Sequence, residues 1–140
     1  MDYRNRAEYF LHYMRQLNRT AMIRDLTSLA SGEQAVLYYL AFQHDGASAG
    51  ELTSAFDIRS SRTAAILNTL EKKGYARRLQ NPQDKRQVLV YITETGKQEV
   101  KGRYEDVISR MAEFLELLGP EDSEEFIRIV RDAVLRNIGK

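Results

Sequence analysis

Eight lysine and arginine side chains are concentrated between residues 59 and 86, where only Glu71 and Asp84 carry negative charge. This segment has a net charge of +6, whereas the rest of the chain sums to −5 and residues 105–125 alone hold eight acids. A nearly neutral protein with its cations gathered in one stretch is suited to bind a polyanion at one face. The alternative is a solvated surface of uneven charge, and charge alone leaves both interpretations open.

The chain offers little for catalysis or for metal binding. Its 140 residues include no cysteine and two histidines, His12 and His44. The lack of cysteine excludes disulfides, thiolate metal sites and thiol redox chemistry, and two separated histidines leave little for a zinc site. No spacing of carboxylates, lysines and tyrosines singles out an acid–base pair. We therefore expect neither an enzyme nor a cofactor.

Length and composition favour one domain over residues 1–140. Hydrophobic residues make up 43% and charged residues 29%, as in ordinary globular proteins. No apolar run approaches the roughly 18 residues that would span a bilayer. Residues 1–6 lead into an amphipathic pattern and not into the apolar block of a signal peptide. We expect no membrane partner and a cytoplasmic location.

Hydrophobic spacing predicts the elements that precede the basic segment. Apolar residues at spacings of three and four indicate a first helix over about residues 4–26. Ser31 and Gln34 read as a capping box, with the hydroxyl serving the third amide and the glutamine reaching back, and they open a second helix. Asp45 and Gly46 are typical of its end.

Two short helices follow, and the basic segment begins on the second of them. Ser48 with Glu51 repeats the capping signature and opens a third helix that ends at about Phe56. Ser60 is expected to cap a fourth helix over residues 61–73, which a glycine then ends.

The pattern next changes from helical to alternating. Residues 75–80 and 87–93 read as two strands, and residues 81–86 between them as a polar hairpin tip. Thr93 is expected to cap a fifth helix of about 25 residues. A glycine and a proline then introduce a last helix over about residues 120–138.

Two short helices joined by a turn and followed by a hairpin form a winged helix-turn-helix. The expected fold is therefore mainly α with a small β-hairpin wing. The apolar side of the fourth helix, its recognition helix, comprises Thr63, Ile66, Leu67 and Leu70. Its candidate DNA-contacting residues are Ser60, Ser61, Arg62, Ala65, Asn68, Thr69 and Lys72. Arginine can contact a guanine edge, asparagine an adenine edge, serine either, and alanine a thymine methyl group.

The cations that flank this helix have a different expected role. Lys73, Arg77 and Arg78, together with Lys72, lie where phosphates would run and would set affinity rather than sequence preference. On the wing, Lys85 and Arg86 are long enough to enter a narrow minor groove.

Asp84 carries the wrong charge to attract DNA, and we expect it to pair with an arginine and orient it. The alternative is a plain surface ion pair, worth about 0–1 kcal/mol.

Two segments of the sequence resemble the MarR (multiple antibiotic resistance) family. Residues 70–78, LEKKGYARR, are similar to the end of that family's recognition helix and its first wing strand. Residues 82–96, PQDKRQVLVYITETG, resemble its wing, second strand and the start of its dimer helix, and Asp84 and Arg86 fall on its Asp-x-Arg motif. The chain departs from the family pattern at Ala64, where the family often has threonine, and at Ala65, where it often has a polar or basic residue. Arg62, Ser61 and Asn68 would then carry more of the base readout, and the operator sequence cannot be transferred from relatives.

The resemblance implies a winged-helix DNA-binding lobe over residues 31–93 and dimerisation helices over residues 1–26 and 94–140. The residues point the same way, because the fifth helix is too long for a compact winged helix to cover. Met14 and Leu17 on the first helix, with Phe126, Val130 and Val134 on the last, are candidates for a two-fold interface. The alternative is that these three helices cover one another within a monomer.

Members of the family commonly respond to small aromatic anions bound between the two lobes. The matching residues here are Tyr9, His12, Arg15, Tyr38, Tyr39 and Phe42. Arg15 would receive a carboxylate, and a tyrosine or histidine would bond a phenol. The alternative is that these residues lie at core edges with their polar tips in water.

The sequence thus predicts a sequence-specific DNA-binding transcription regulator, a repressor by resemblance, that acts as a homodimer on a palindromic operator. Its partners would be double-stranded DNA, a second copy of the chain and a small aromatic or anionic effector, and it would associate with the nucleoid when bound to DNA. The alternative is a winged-helix protein-interaction module that does not bind DNA. Such modules usually lack the basic residues that this recognition helix and wing concentrate.

Overall fold

A computed structural model describes residues 1–138, which form seven helices and three strands. The helices are α1 (Tyr3–Leu17), α2 (Ala21–Ala30), α3 (Gly32–Phe42), α4 (Ala49–Phe56), α5 (Ser60–Lys72), α6 (Glu94–Leu118) and α7 (Pro120–Asn137). The strands are β1 (Ala47–Ser48), β2 (Ala76–Asn81) and β3 (Asp84–Ile92). The mainly helical fold with a small β-hairpin wing is as predicted.

Helices α4 and α5 form the helix-turn-helix. The Ser48 hydroxyl accepts a hydrogen bond from the Glu51 amide at 3.0 Å, so the predicted cap of α4 is confirmed. Asp57 ends α4 in the left-handed conformation, with φ of 48°, and turns the chain toward α5. The Thr53 and Thr63 hydroxyls are 2.7 Å apart and join the two helices; Thr63 is the one fully buried polar side chain within residues 1–138.

The wing is a three-stranded antiparallel sheet in the order β1-β3-β2. The short strand β1, which the sequence did not predict, pairs Ala47 with Val90. The hairpin turn is tighter than predicted, because β3 begins at Asp84 and not at Gln87. The Asn81 side chain accepts a hydrogen bond from the Gln83 amide at 3.0 Å, which closes the turn early. Residues 84–86 therefore lie on a strand and not in the turn.

The core lies where α3, α4, α5 and the sheet meet the start of α6. Its fully buried large side chains are Val36, Leu37, Leu40, Leu52, Leu67, Leu70, Val90 and Val100. Burial of each such side chain stabilises the fold by about 1.5–3 kcal/mol. This core holds the outward face of α5 and the wing in a fixed relation.

The N-terminal region differs from the prediction of one helix over residues 4–26. Helix α1 ends at Leu17 and α2 begins at Ala21. Between them the Thr20 hydroxyl donates to the Leu17 carbonyl at 2.7 Å, and Thr20 takes an extended conformation. Hydroxyl and amide side chains favour such breaks because they compete for backbone hydrogen bonds.

Two predicted helix caps are wrong. The Ser31 side chain makes no cap bond to α3 and donates instead to the Thr27 carbonyl at 3.5 Å, while Gln34 donates to Glu99 of α6 at 3.3 Å. Ser60 is the first residue of α5, and Arg59 occupies the cap position without a side-chain bond. At the start of α3, bonds to the neighbouring helices α2 and α6 replace the local capping signature.

The two C-terminal helices follow the prediction. The Thr93 hydroxyl accepts from the Gly96 amide at 3.0 Å and caps α6, which runs for 25 residues, and Pro120 is the first residue of α7. Within residues 1–138, no helix is long and apolar enough to cross a membrane.

Candidate nucleic-acid interface

Helix α5 presents two chemically distinct faces. Thr63, Ile66, Leu67 and Leu70 are buried, as their spacing predicted. Ser60, Ser61, Arg62, Ala65, Asn68 and Lys72 are exposed, and Thr69 is half-buried. Because the buried face is fixed in the core, the exposed face forms a rigid row of short polar and long basic side chains, of the size that fits a major groove.

The cations of the basic segment divide into free and paired groups. Within the basic segment, Lys73, Arg78 and Arg86 form ion pairs with carboxylates of the described residues 1–138. The remaining five cations of the segment, which have no carboxylate within ion-pair distance in that part of the chain, are Arg59, Arg62, Lys72, Arg77 and Lys85. The free group supplies most of the positive charge available to a polyanion.

Lys73 is tied to helix α3 by a long-range contact. Its Nζ lies 2.8 Å from Glu33 Oε2 of α3, and this hydrogen bond raises the pKa of the lysine. The pair is half exposed and so contributes little to stability. It nevertheless turns the ammonium away from the free position that the sequence suggested.

Arg78 is likewise engaged within the protein. Its Nε lies 3.3 Å from Glu71 Oε2, its backbone amide donates to the same oxygen at 3.2 Å, and its Nη2 donates to Asn68 Oδ1 at 2.7 Å. The hydrogen bonds from Arg78 lower the pKa of Glu71. This guanidinium joins β2 to α5, which differs from the expected free phosphate contact.

On the wing, Asp84 and Arg86 form the geometry that the sequence suggested. Asp84 Oδ1 accepts from the Arg86 amide at 3.1 Å and from Arg86 Nε at 3.3 Å. The Arg86 side chain is 93% exposed, so the carboxylate holds one edge of a guanidinium whose other edge faces solvent. The Gln80 side-chain Nε2 donates to the Lys85 backbone carbonyl at 2.7 Å and joins the two strands of the hairpin beside this pair.

The candidate effector residues are divided among three separate environments in the structure. On α1, Tyr9 and His12 pack edge-on against Tyr13, and Arg15 is exposed on the same helix. Tyr38 and Phe42 of α3 pack together and against Tyr104 of α6.

Tyr39 points elsewhere. Its hydroxyl donates to Glu51 Oε2 at 2.8 Å, which raises the pKa of the phenol, and its ring packs against Phe56. His44 Nδ1 lies 2.7 Å from the same carboxylate oxygen. Tyr39 is therefore part of the helix-turn-helix packing.

Sequence reasoning missed three residues of these sites. Glu71 was counted only as an acid within the basic segment, although it lies one turn after Asn68 on the same helix face and six residues before Arg77, the first cation of β2. Thr53 was unassigned because its partner is ten residues away. Tyr104 has the helical spacing of an ordinary apolar-face residue of α6, and nothing in that spacing indicates its contacts with Tyr38 and Phe42 of α3.

Large apolar side chains remain exposed on the terminal helices. Phe10 and Leu11 of α1, with Ile129, Val134 and Leu135 of α7, are each more than half exposed. Exposed apolar rows of this extent mark interaction surfaces.

Comparison with known proteins supports the interpretation of this architecture. Residues 32–88 match the sequence model of the MarR family. This segment, which comprises the helix-turn-helix and most of the wing, is therefore similar in sequence to the MarR family. An HTH-type transcriptional regulator of Bacillus subtilis, the uncharacterized YfiV, is 38% identical over 64 residues, which are 46% of this chain and 40% of that protein. The chain thus covers less than half the length of that relative.

Solved structures share the fold over nearly the whole chain. A MarR family protein from Bacillus stearothermophilus superposes with a TM-score of 0.74 at 22% identity, covering 100% of this chain and 99% of that one. YusO from Bacillus subtilis gives a TM-score of 0.77 at 17% identity, covering 94% of each chain. The MarR-type fold therefore extends to the terminal helices that lie outside residues 32–88.

Proposed function

We propose that this protein is a MarR-type, sequence-specific DNA-binding transcription regulator that acts as a homodimer on a palindromic operator. The observation that carries the proposal is the placement of the exposed face of α5 beside a wing whose Lys85 and Arg86 are exposed. Five cations of this surface are without an internal ion pair in residues 1–138, so phosphates can take them without breaking a salt bridge.

The two parts of the surface have different roles in this proposal. Arg62 and the short residues of α5 enter the major groove and read base edges. Arg86, whose guanidinium Nε is paired with Asp84 Oδ1 at 3.3 Å, extends from the wing toward the minor groove. Lys72 and Arg77 contact phosphates and supply affinity that does not depend on sequence.

Dimerisation is supported by the apolar rows on α1 and α7. A two-fold interface through these helices would cover Phe10 and Leu135, which the single chain leaves in water. It would also place two recognition helices about 34–36 Å apart, which matches one turn of DNA. Two linked half-sites then bind far more tightly than one.

The proposed site of effector control is a group of aromatic side chains between α3 and α6. The aromatic group of Tyr38, Phe42 and Tyr104 lies where α3 of the winged helix meets α6 of the dimerisation region. A planar aromatic anion stacked there would change the angle between the two. Repression relieved by such a ligand follows from the family resemblance and completes the proposed function.

Selection of bound duplexes from a random pool, followed by affinity measurements over a range of salt concentrations, tests the DNA-binding proposal. Six phosphate contacts predict a slope of log affinity against log salt of about −5. We expect the pool to converge on a palindrome and Arg62→Ala to weaken its binding. Arg19→Ala serves as the matched control, because it removes the same charge from the α1–α2 turn, outside the basic segment. A slope near zero would instead favour the protein-interaction module.

A further inference from the structure

Asn68 is held by a neighbouring strand in one orientation. Arg78 of β2 donates from Nη2 to Asn68 Oδ1 at 2.7 Å. The same guanidinium is fixed by Glu71, whose carboxylate receives Arg78 Nε at 3.3 Å, Nη2 at 3.4 Å and the backbone amide at 3.2 Å. Asn68 and Glu71 lie one helical turn apart on α5, so a single arginine bridges both.

The chemistry of arginine removes the ambiguity of the amide. A guanidinium has only donors, so the Asn68 atom that faces it must be the oxygen. The carbonyl therefore points across to β2, and the amide NH2 group is left as the part of this exposed side chain that is available to a ligand.

We propose that Arg78 and Glu71 are positioning residues that make Asn68 a hydrogen-bond donor to DNA, so that it favours guanine over adenine. The proposal rests on the DNA-binding function above and specifies the base that one residue reads. An asparagine that contacts adenine bidentately must present its oxygen to N6–H and its nitrogen to N7 at once. Here Arg78 holds the oxygen toward β2 through one of its two lone pairs, so the proposal assigns the contact with DNA to the NH2 group. Guanine offers two acceptors in the major groove, N7 and O6, and suits a donor alone.

The same hydrogen bonds give Arg78 a different expected role from its neighbour Arg77. Arg77 and Arg78 carry the same charge on the same strand, but Arg77 is exposed and forms no ion pair within residues 1–138. Loss of Arg77 should therefore weaken binding to all sequences alike. Loss of Arg78 should instead free the Asn68 amide to turn and change which base is preferred at one position.

The experiment begins with selection from random duplexes by the full-length wild type and by Asn68→Ala. The operator position whose preference the alanine variant erases is the position that Asn68 reads. Affinities are then measured for four operators that differ only at that base pair. We expect the wild type to favour guanine over adenine by about ten-fold, the size of one good base contact.

Three variants complete the test. Arg78→Met should abolish or reverse the guanine preference, Arg77→Met should lower all four affinities by one common factor, and Glu71→Gln should reduce the preference by loosening Arg78. If Arg78→Met fails to fold by circular dichroism, Glu71→Gln alone tests the proposal, and an unchanged preference in that variant then overturns it. The proposal is overturned by a wild-type preference for adenine, by a preference unchanged in both Arg78→Met and Glu71→Gln, or by no preference lost in Asn68→Ala. Those results leave the DNA-binding proposal standing, whereas salt-independent or absent binding defeats both.

Discussion

Gly96 lies where the first turn of α6 packs against the winged helix, and its replacement by alanine should weaken that packing and destabilise the protein. Gly96 is buried in the first turn of α6. A Cβ atom built there would lie 2.1 Å from the Tyr75 carbonyl oxygen and 2.8 Å from Ile92 Cγ1. The carbonyl belongs to the backbone and cannot swing aside. It also accepts a hydrogen bond from the Thr93 amide at 3.0 Å, so any retreat of α6 disturbs the cap as well.

The expected magnitude follows from two opposed effects. Alanine in place of glycine within a helix is favourable by about 1 kcal/mol. Overpacking of a core position costs about 1–3 kcal/mol, occasionally more, and the loss of a backbone hydrogen bond adds about 0.5–1.5 kcal/mol. Because the clash is with backbone, we expect the upper half of these costs, about 3–4.5 kcal/mol together, and so a net loss of about 2–3.5 kcal/mol in the free energy of unfolding.

Gly102 provides the matched control on the same helix. It is exposed, and a Cβ atom there would meet nothing within 4 Å in the chain. Gly102→Ala should therefore stabilise the protein by up to about 1 kcal/mol. Urea unfolding of both variants and the wild type at one protein concentration measures the difference, since dimerisation would otherwise shift the midpoints. Equal effects of the two substitutions would refute the steric argument.

Three further predictions concern the wing, the last helix and pH. Arg86→Ala should weaken operator binding by about 1–3 kcal/mol, and Asp84→Ala should also weaken it although it removes a negative charge; stronger binding by the latter would show that the carboxylate only repels DNA. Deletion from Pro120 onward removes α7, and sedimentation should show a monomer or aggregates whose operator affinity falls toward the non-specific range of about 10⁻⁴–10⁻⁶ M; a folded monomer with full affinity would separate α7 from DNA recognition. The hydrogen bonds from His44 and Tyr39 lower the pKa of Glu51, so its contribution is present above the unfolded-state pKa and is lost as the pH falls through the folded-state pKa. The stability advantage of the wild type over Glu51→Gln should shrink below about pH 4, and an advantage that is constant with pH would contradict this.

The elements around the helix-turn-helix were predictable because their signals are local. The serine at position 48 and the threonine at position 93 each cap the helix that follows, with bonds of 3.0 Å. Apolar spacing on α5 identified its buried face. Such signals act within three or four residues, so no knowledge of the rest of the fold was needed to read them.

The errors arose where a contact from elsewhere in the chain overrode a local pattern. Ser31 has the spacing of a cap but bonds back to Thr27, since α2 leads directly into α3. Gln34, the other half of the expected box, bonds to Glu99, which is 65 residues away. The break between α1 and α2 was hidden because apolar residues continue at helical spacing on both sides of Thr20.

The same distinction applies to the candidate interface. Spacing predicted which residues face outward, but a count of charges treated every cation as equally available. Lys73 is held by Glu33, 40 residues earlier, and Arg78 by Glu71 across the α5–β2 turn. A cation held by a carboxylate must lose that partner before it can bind a phosphate, so it adds less to salt-dependent affinity than a free one. In return its partners become fixed in space, and Asn68 acquires a defined donor face that it would lack on a free helix. Glu71 and Asp84, the two acids inside the basic segment, therefore have two effects. Their negative charge lowers the overall attraction for DNA, and their hydrogen bonds orient the side chains that would read it.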